Sequence, residues 1–119
     1  MPSKAQIRGV IDEYRRAMTA KDRAAFMNLL APDVVMIHEE SWGRRTMTGL
    51  EDMAAFWDTV KTDTLWQTDP PMICGDEALV FLKAASGPPE ARRETNRIVD
   101  RFGFNEAGKL SHIRVYYEH

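Results

Sequence analysis

The chain has 119 residues, 44% of them hydrophobic and 29% charged, and a formal net charge of −2. That size suits one domain spanning 1–119 around a single core, the apolar content argues against disorder, and the charge supplies no positive field for nucleic acid. No stretch approaches the length of a membrane span, and the first residues run into a polar helix pattern without an apolar signal core, so a cytoplasmic location is expected. One cysteine, Cys74, excludes an intrachain disulfide and suits a reducing compartment. Its flanks carry no nucleophile signature and read as those of a buried or half-buried thiol. The arginines, among them Arg44, Arg45, Arg97 and Arg101, scatter among acidic neighbours and read as a solvated sheet face.

Ser3 and Gln6 form a capping-box start for a first helix, with Ile7, Val10, Ile11, Tyr14 and Met18 on one stripe as far as about Thr19. Asp22 caps a short second helix carrying Phe26, Leu29 and Leu30, which Pro32 and Asp33 close. Val34 to Glu39 reads as a strand, with Val34, Met36 and His38 on one face. Glu40 to Met47 reads as a polar loop. Thr48 and Glu51 read as a second capping box, opening a third helix with Met53, Phe56, Trp57 and Val60 on its apolar side. Strands follow at Leu65–Thr68, Glu77–Ala85, Ala91–Phe104 and Leu110–Glu118, separated by Gly- and Pro-containing turns. The short loop at 105–108 predicts an antiparallel hairpin for the last two. Helices first and strands later indicate an α+β fold. Three helices on a long, curved antiparallel sheet make a cone with an open mouth, a usual place for a small-molecule site.

Asp100 is the most informative residue. Alternation puts Asn96, Ile98, Asp100, Phe102 and Phe104 on the inward face, so a carboxyl sits among apolar side chains. Such a group either finds a cation or stays protonated with a raised pKa, and a protonated carboxyl can donate to a developing enolate oxygen. The spacing leaves both open. Tyr14, in the stripe of the first helix, is either a core tyrosine or a second donor. His38 is either a base for a carbon acid or a histidine exposed at the strand end. Met18, Met36, Trp42, Phe56, Phe81 and Phe102 are candidates to line the cavity, Trp42 by overhanging its mouth. His38, His112 and His119 show no metal-ligand spacing, so no metal is expected. The chain has neither a glycine-rich phosphate loop nor a nucleophile elbow, and no cofactor is expected.

From Val10 to Val60 the chain resembles the first half of bacterial ketosteroid isomerases, within the nuclear transport factor 2-like and SnoaL-like superfamily. The residues that carry this are Tyr14, Lys21-Asp22, Leu29-Leu30-Ala31-Pro32-Asp33 and Thr48-Gly49. Asp100 to Leu110 resembles that family's closing hairpin. The resemblance implies a cystatin-like cone, an oxyanion-hole tyrosine at Tyr14, a hydrogen-bond-donating aspartic acid at Asp100 and an aromatic pocket position near Tyr117. Ketosteroid isomerase is the reference case of a neutral, high-pKa aspartic acid in that role. The family's aspartate base is replaced by His38. The implied function is proton transfer, through an enolate, on a small hydrophobic carbonyl compound, as an isomerase or lyase and commonly as a homodimer. The alternatives are a polyketide cyclase or dehydratase type of enzyme, or a non-catalytic module that binds a ligand or docks on a protein.

Overall fold

The computed structural model describes residues 1–40, 43–60, 64–91, 93–94 and 97–118. Helix α1 spans Lys4–Ala20. At its start the Ser3 hydroxyl accepts from the Gln6 amide at 3.1 Å, and the Gln6 side chain accepts from the Ser3 amide at 2.7 Å. This reciprocal box satisfies two amides that the helix leaves unpaired. The helix stops where Lys21 adopts a left-handed conformation, φ 57°. It buries Ile7, Ile11, Tyr14, Ala17 and Met18 along one stripe. Helix α2, Arg23–Asn28, is capped by Asp22, whose carboxylate accepts from the Ala25 amide at 3.1 Å.

Strand β1, Leu30–Glu40, begins earlier than its sequence pattern indicates. Leu30 already pairs with Leu110, and the register then shifts before Val35. Pro32 falls within that irregularity, where a missing amide donor costs no ladder bond. Residues expected to form a polar loop instead supply strand β2, Gly43–Thr48, antiparallel to β1. Helix α3, Gly49–Trp57, follows directly. The expected Thr48–Glu51 capping box is not formed: the Thr48 hydroxyl makes no cap bond, and the Asp52 carboxylate accepts from the Thr48 amide at 2.8 Å.

The remaining strands are β3 (Thr64–Gln67), β4 (Met72–Cys74), β5 (Glu77–Ser86), β6 (Arg93–Glu94), β7 (Ile98–Phe104) and β8 (Leu110–Tyr117). A 3-10 turn at Pro89–Ala91 precedes β6, so the strand expected over 91–104 is divided. Cys74, expected to be at least half-buried, is exposed at the end of β4.

All the strands join one curved, unclosed sheet in the order β2-β1-β8-β7-β5-β3, with β4 and β6 also paired to β5. The β7–β8 hairpin is antiparallel as expected. The sheet as a whole is mixed rather than antiparallel, because β1 runs parallel to β8. That pairing joins strands from opposite ends of the chain, which no local pattern encodes.

Alternation along β8 is interrupted. Phe104 pairs with Leu110, but Gly103 pairs with His112, so one extra residue is accommodated between them. Leu110, Ile113 and Val115 are all buried as a result, and Tyr117 joins their face. The inner face packs on the helices through Phe26, Phe102, Ile7, Ile11, Met36 and Met53, each at most 1% exposed. Phe26 lies 5.7 Å from the Tyr14 ring and 4.7 Å from the Trp57 ring. The opposite face carries ion pairs, Arg101 with Glu77 at 2.7 Å and Arg44 with Glu39 at 2.9 Å. These exposed pairs contribute about 0–1 kcal/mol each, so apolar packing carries the stability. Truncating Phe26 to alanine should cost about 3–5 kcal/mol in urea denaturation. A cost near that of a surface substitution would mean that α2 is not part of the core.

Candidate functional site

The strand registers place five residues in one row across the inner face: Arg45, His38, Val115, Asp100 and Val80. Neighbouring strands lie about 4.8 Å apart, so His38 and Asp100, two spacings from each other, are about 10 Å apart at Cα.

Asp100 is 3% exposed. Val115 and Val80 flank it in the row, and Ile98 and Phe102 precede and follow it on the same face of β7. Its Oδ1 is buried without a hydrogen-bond partner among the described residues. Burial alone pushes the carboxyl up to about 7, because the charged form cannot be solvated there. Of the two states the sequence left open, the geometry supports the protonated one. Arg97 and Arg101, the cations nearest in sequence, are engaged elsewhere, with Glu118 at 2.9 Å and Glu77 at 2.7 Å.

Tyr14 comes from α1 and is 3% exposed. Its ring lies edge-on to Phe102 at 5.0 Å. Burial, with Asp100 and Tyr117 nearby, raises its phenol well above the usual range, so it remains a hydrogen-bond donor. His38 is 7% exposed, against the expectation of an exposed strand-end residue. Its ring packs on Phe56 at 5.1 Å and on Tyr117 at 5.4 Å. The Tyr117 hydroxyl lies 3.4 Å from its Nδ1. Burial, and then the positive charge of Arg45, hold the imidazole down to about 4. His38 is therefore neutral at physiological pH.

Met18, Met36, Phe56 and Phe102 are all buried in the same core cluster. Phe81 is not on this face. Val80, Leu82 and Ala84 point inward from β5, so the intervening Phe81 points outward. There it helps line a groove of about 400 Å³ that also includes Val99, Tyr116 and the paired Arg97 and Glu118. Trp42, Asn96 and His119 lie outside the described residues. Among the described residues, no three His, Cys, Asp or Glu side chains come together in a way that could hold a metal ion.

The residue missed from sequence is Arg45. It stands directly opposite His38, half-buried, with its guanidinium 5.8 Å from the centre of the Phe56 ring. Placing this segment in a loop removed the alternation that would have pointed it inward.

Residues 11–113 match the SnoaL-like domain family. The chain belongs to that family. This SnoaL-like chain has no match among curated proteins. It is similar in fold to RV0760c of Mycobacterium tuberculosis, at 22% identity and a TM-score of 0.79, over 99% of this chain and 95% of that one. RV0760c has also been solved in complex with estradiol-17beta-hemisuccinate. A computationally designed 17-OHP binder is 27% identical with a TM-score of 0.77, over 95% of this chain and 91% of the binder. A protein of Kribbella flavida provisionally named a ketosteroid isomerase is 21% identical with a TM-score of 0.78, over 97% and 79% of the two chains.

The two perturbed groups of the row should show in the pH dependence of stability. In an unfolded SnoaL-like chain, aspartate ionises near about 3.9 and histidine near about 6.5. Native Asp100 keeps its proton to about 7, so its contribution to stability falls as pH climbs between those two limits. Native His38 loses its proton by about 4, so its contribution rises with pH up to the unfolded histidine value. Each effect is of order 3 kcal/mol, and the two slopes oppose each other between about pH 4.5 and 6.5. Urea titrations in that window should show Asp100→Asn gaining stability with pH relative to wild type, and His38→Gln losing it. Parallel profiles for all three proteins would contradict both assignments.

Proposed function

We propose that the chain binds a small hydrophobic carbonyl compound against the inner face of its cone and transfers a proton on it through an enolate. The observation that carries this is the shared burial of Tyr14, Asp100 and His38 around one face, with the Asp100 carboxyl pushed up to about 7 by its apolar surroundings. Tyr14 and Asp100 would donate to the carbonyl oxygen. Their hydrogen bonds strengthen as negative charge develops there, and that difference accelerates the reaction. One such donor in a dry site is worth about 2.7–4 kcal/mol of transition-state stabilisation.

His38 is the base in this reading. Its depressed pKa of about 4 matches that of an ordinary aspartate, about 3.9. A histidine at the position of the family's aspartate therefore has a similar proton affinity. What changes is charge: the base is neutral before transfer and cationic after it. The contact with Tyr117 would orient the ring. Steroid ligands on relatives of this fold, the estradiol hemisuccinate of RV0760c and the 17-OHP of the designed binder, support a flat hydrophobic ligand here. The designed protein, a binder by its own description, favours a second reading in which the cone holds its ligand without turnover. The homodimer implied by the resemblance belongs to the same proposal and is checked by sedimentation.

Two measurements separate these readings. Binding of 2-naphthol, an enolate mimic, is followed by fluorescence. Tyr14→Phe and Asp100→Ala should each weaken it tenfold or more, roughly 1.4 kcal/mol. Deuterium exchange at the α-carbon of a cyclic ketone is followed by NMR. Exchange should rise through about pH 4 as His38 deprotonates and fall above about pH 7 as Asp100 ionises, and His38→Gln should abolish most of it. Tight naphthol binding without exchange would favour the ligand-binding module. Unaltered binding in both variants would remove the oxyanion hole from the account.

A further inference from the structure

The proton-transfer reading uses Arg45 only through its charge, which with burial holds the His38 imidazole down; the geometry of its guanidinium is left unused. On β2, Arg44 and Arg45 point to opposite faces. Arg44 turns outward and pairs with Glu39 at 2.9 Å. Arg45 turns inward beside His38, and among the described residues it makes no ion pair. Its guanidinium is 5.8 Å from the Phe56 ring, the same ring that packs on His38. A half-buried cation that makes no ion pair among the described residues is an expensive feature on a largely apolar face. Its planar fork stacks on aromatic rings and matches a carboxylate in a two-point hydrogen bond.

We infer that Arg45 is a specificity-determining residue that selects ligands bearing a carboxylate at the β2 end of the inner face. This rests on the reading above in taking that face as the ligand site. Arg45 and Asp100 stand at two points of one row, three strand spacings or about 14 Å apart at Cα. The long arginine side chain shortens that gap toward the length of a bicyclic or larger ring system. A ligand of this class has an apolar body along Phe56 and His38, an oxygen toward Tyr14 and Asp100, and its acid group on Arg45.

The test compares 2-naphthoate with its neutral isostere 2-naphthamide, by calorimetry at low salt, on wild type, Arg45→Met and Arg45→Lys. Wild type should prefer the acid at least tenfold. Arg45→Met should bring acid and amide to parity without weakening 2-naphthol, and Arg45→Lys should keep part of the preference. Thermal melting of each variant shows that it is folded. Equal affinity of wild type for acid and amide would overturn the inference, and so would an Arg45→Met variant that weakens both alike. If 2-naphthol binding is insensitive to Tyr14 and Asp100 while the acid preference still depends on Arg45, the enolate reading fails and this one stands.

Discussion

A buried carboxyl group that meets no cation among the described residues governs the inner face of this sheet. Val80, Val115, Ile98 and Phe102 surround Asp100 and shift it toward its protonated form, up to about 7. The same condition demands a cover. Helix α1 provides it, and the stripe that excludes water also delivers the Tyr14 hydroxyl. Burial of the carboxyl and placement of the phenol are thus one packing event. The positive charge of this face is kept away: Arg45 sits beyond His38, separated from Asp100 by two strands. A cation in contact with Asp100 would ionise it and turn a donor into an acceptor.

The arrangement has an energetic consequence. Asp100 and His38 are both buried in forms that water would readily ionise, and each withdraws stability over part of the pH range. The packed rings of Tyr14, Phe26, Phe102 and Trp57 offset this from within the same core. The buried polar groups and the apolar groups that tolerate them occupy adjacent positions on the same elements.

Much of this was legible in the sequence where burial leaves a periodic mark. The stripe of α1 exposed its inward residues, Tyr14 among them, and the apolar residues on either side of Asp100 revealed its direction. Phe81 was misplaced because both faces of β5 are apolar there, with Leu79 and Phe81 alternating with Val80 and Leu82, so period two gives no direction. β2 was lost because Gly43, Arg44, Arg45 and Thr46 are polar or small, as an edge strand with one solvated face can be. With it went Arg45. Tyr117 lies on the inner face only because a bulge shifts the alternation after Leu110, and no residue type announces that. The resemblance to ketosteroid isomerases, not the alternation, pointed to that position.

The place of β8 has a consequence in time. It stands between β1 and β7, so the strands bearing His38 and Asp100 never touch each other. While a ribosome is still making the chain, both have an open edge and no common surface. The parallel seam with β1 closes only when most of the intervening chain has been laid down, a long-range pairing of the kind that slows folding. The newborn chain therefore carries two unpaired strand edges until β8 fills the place between them, and only then do His38 and Asp100 share one surface.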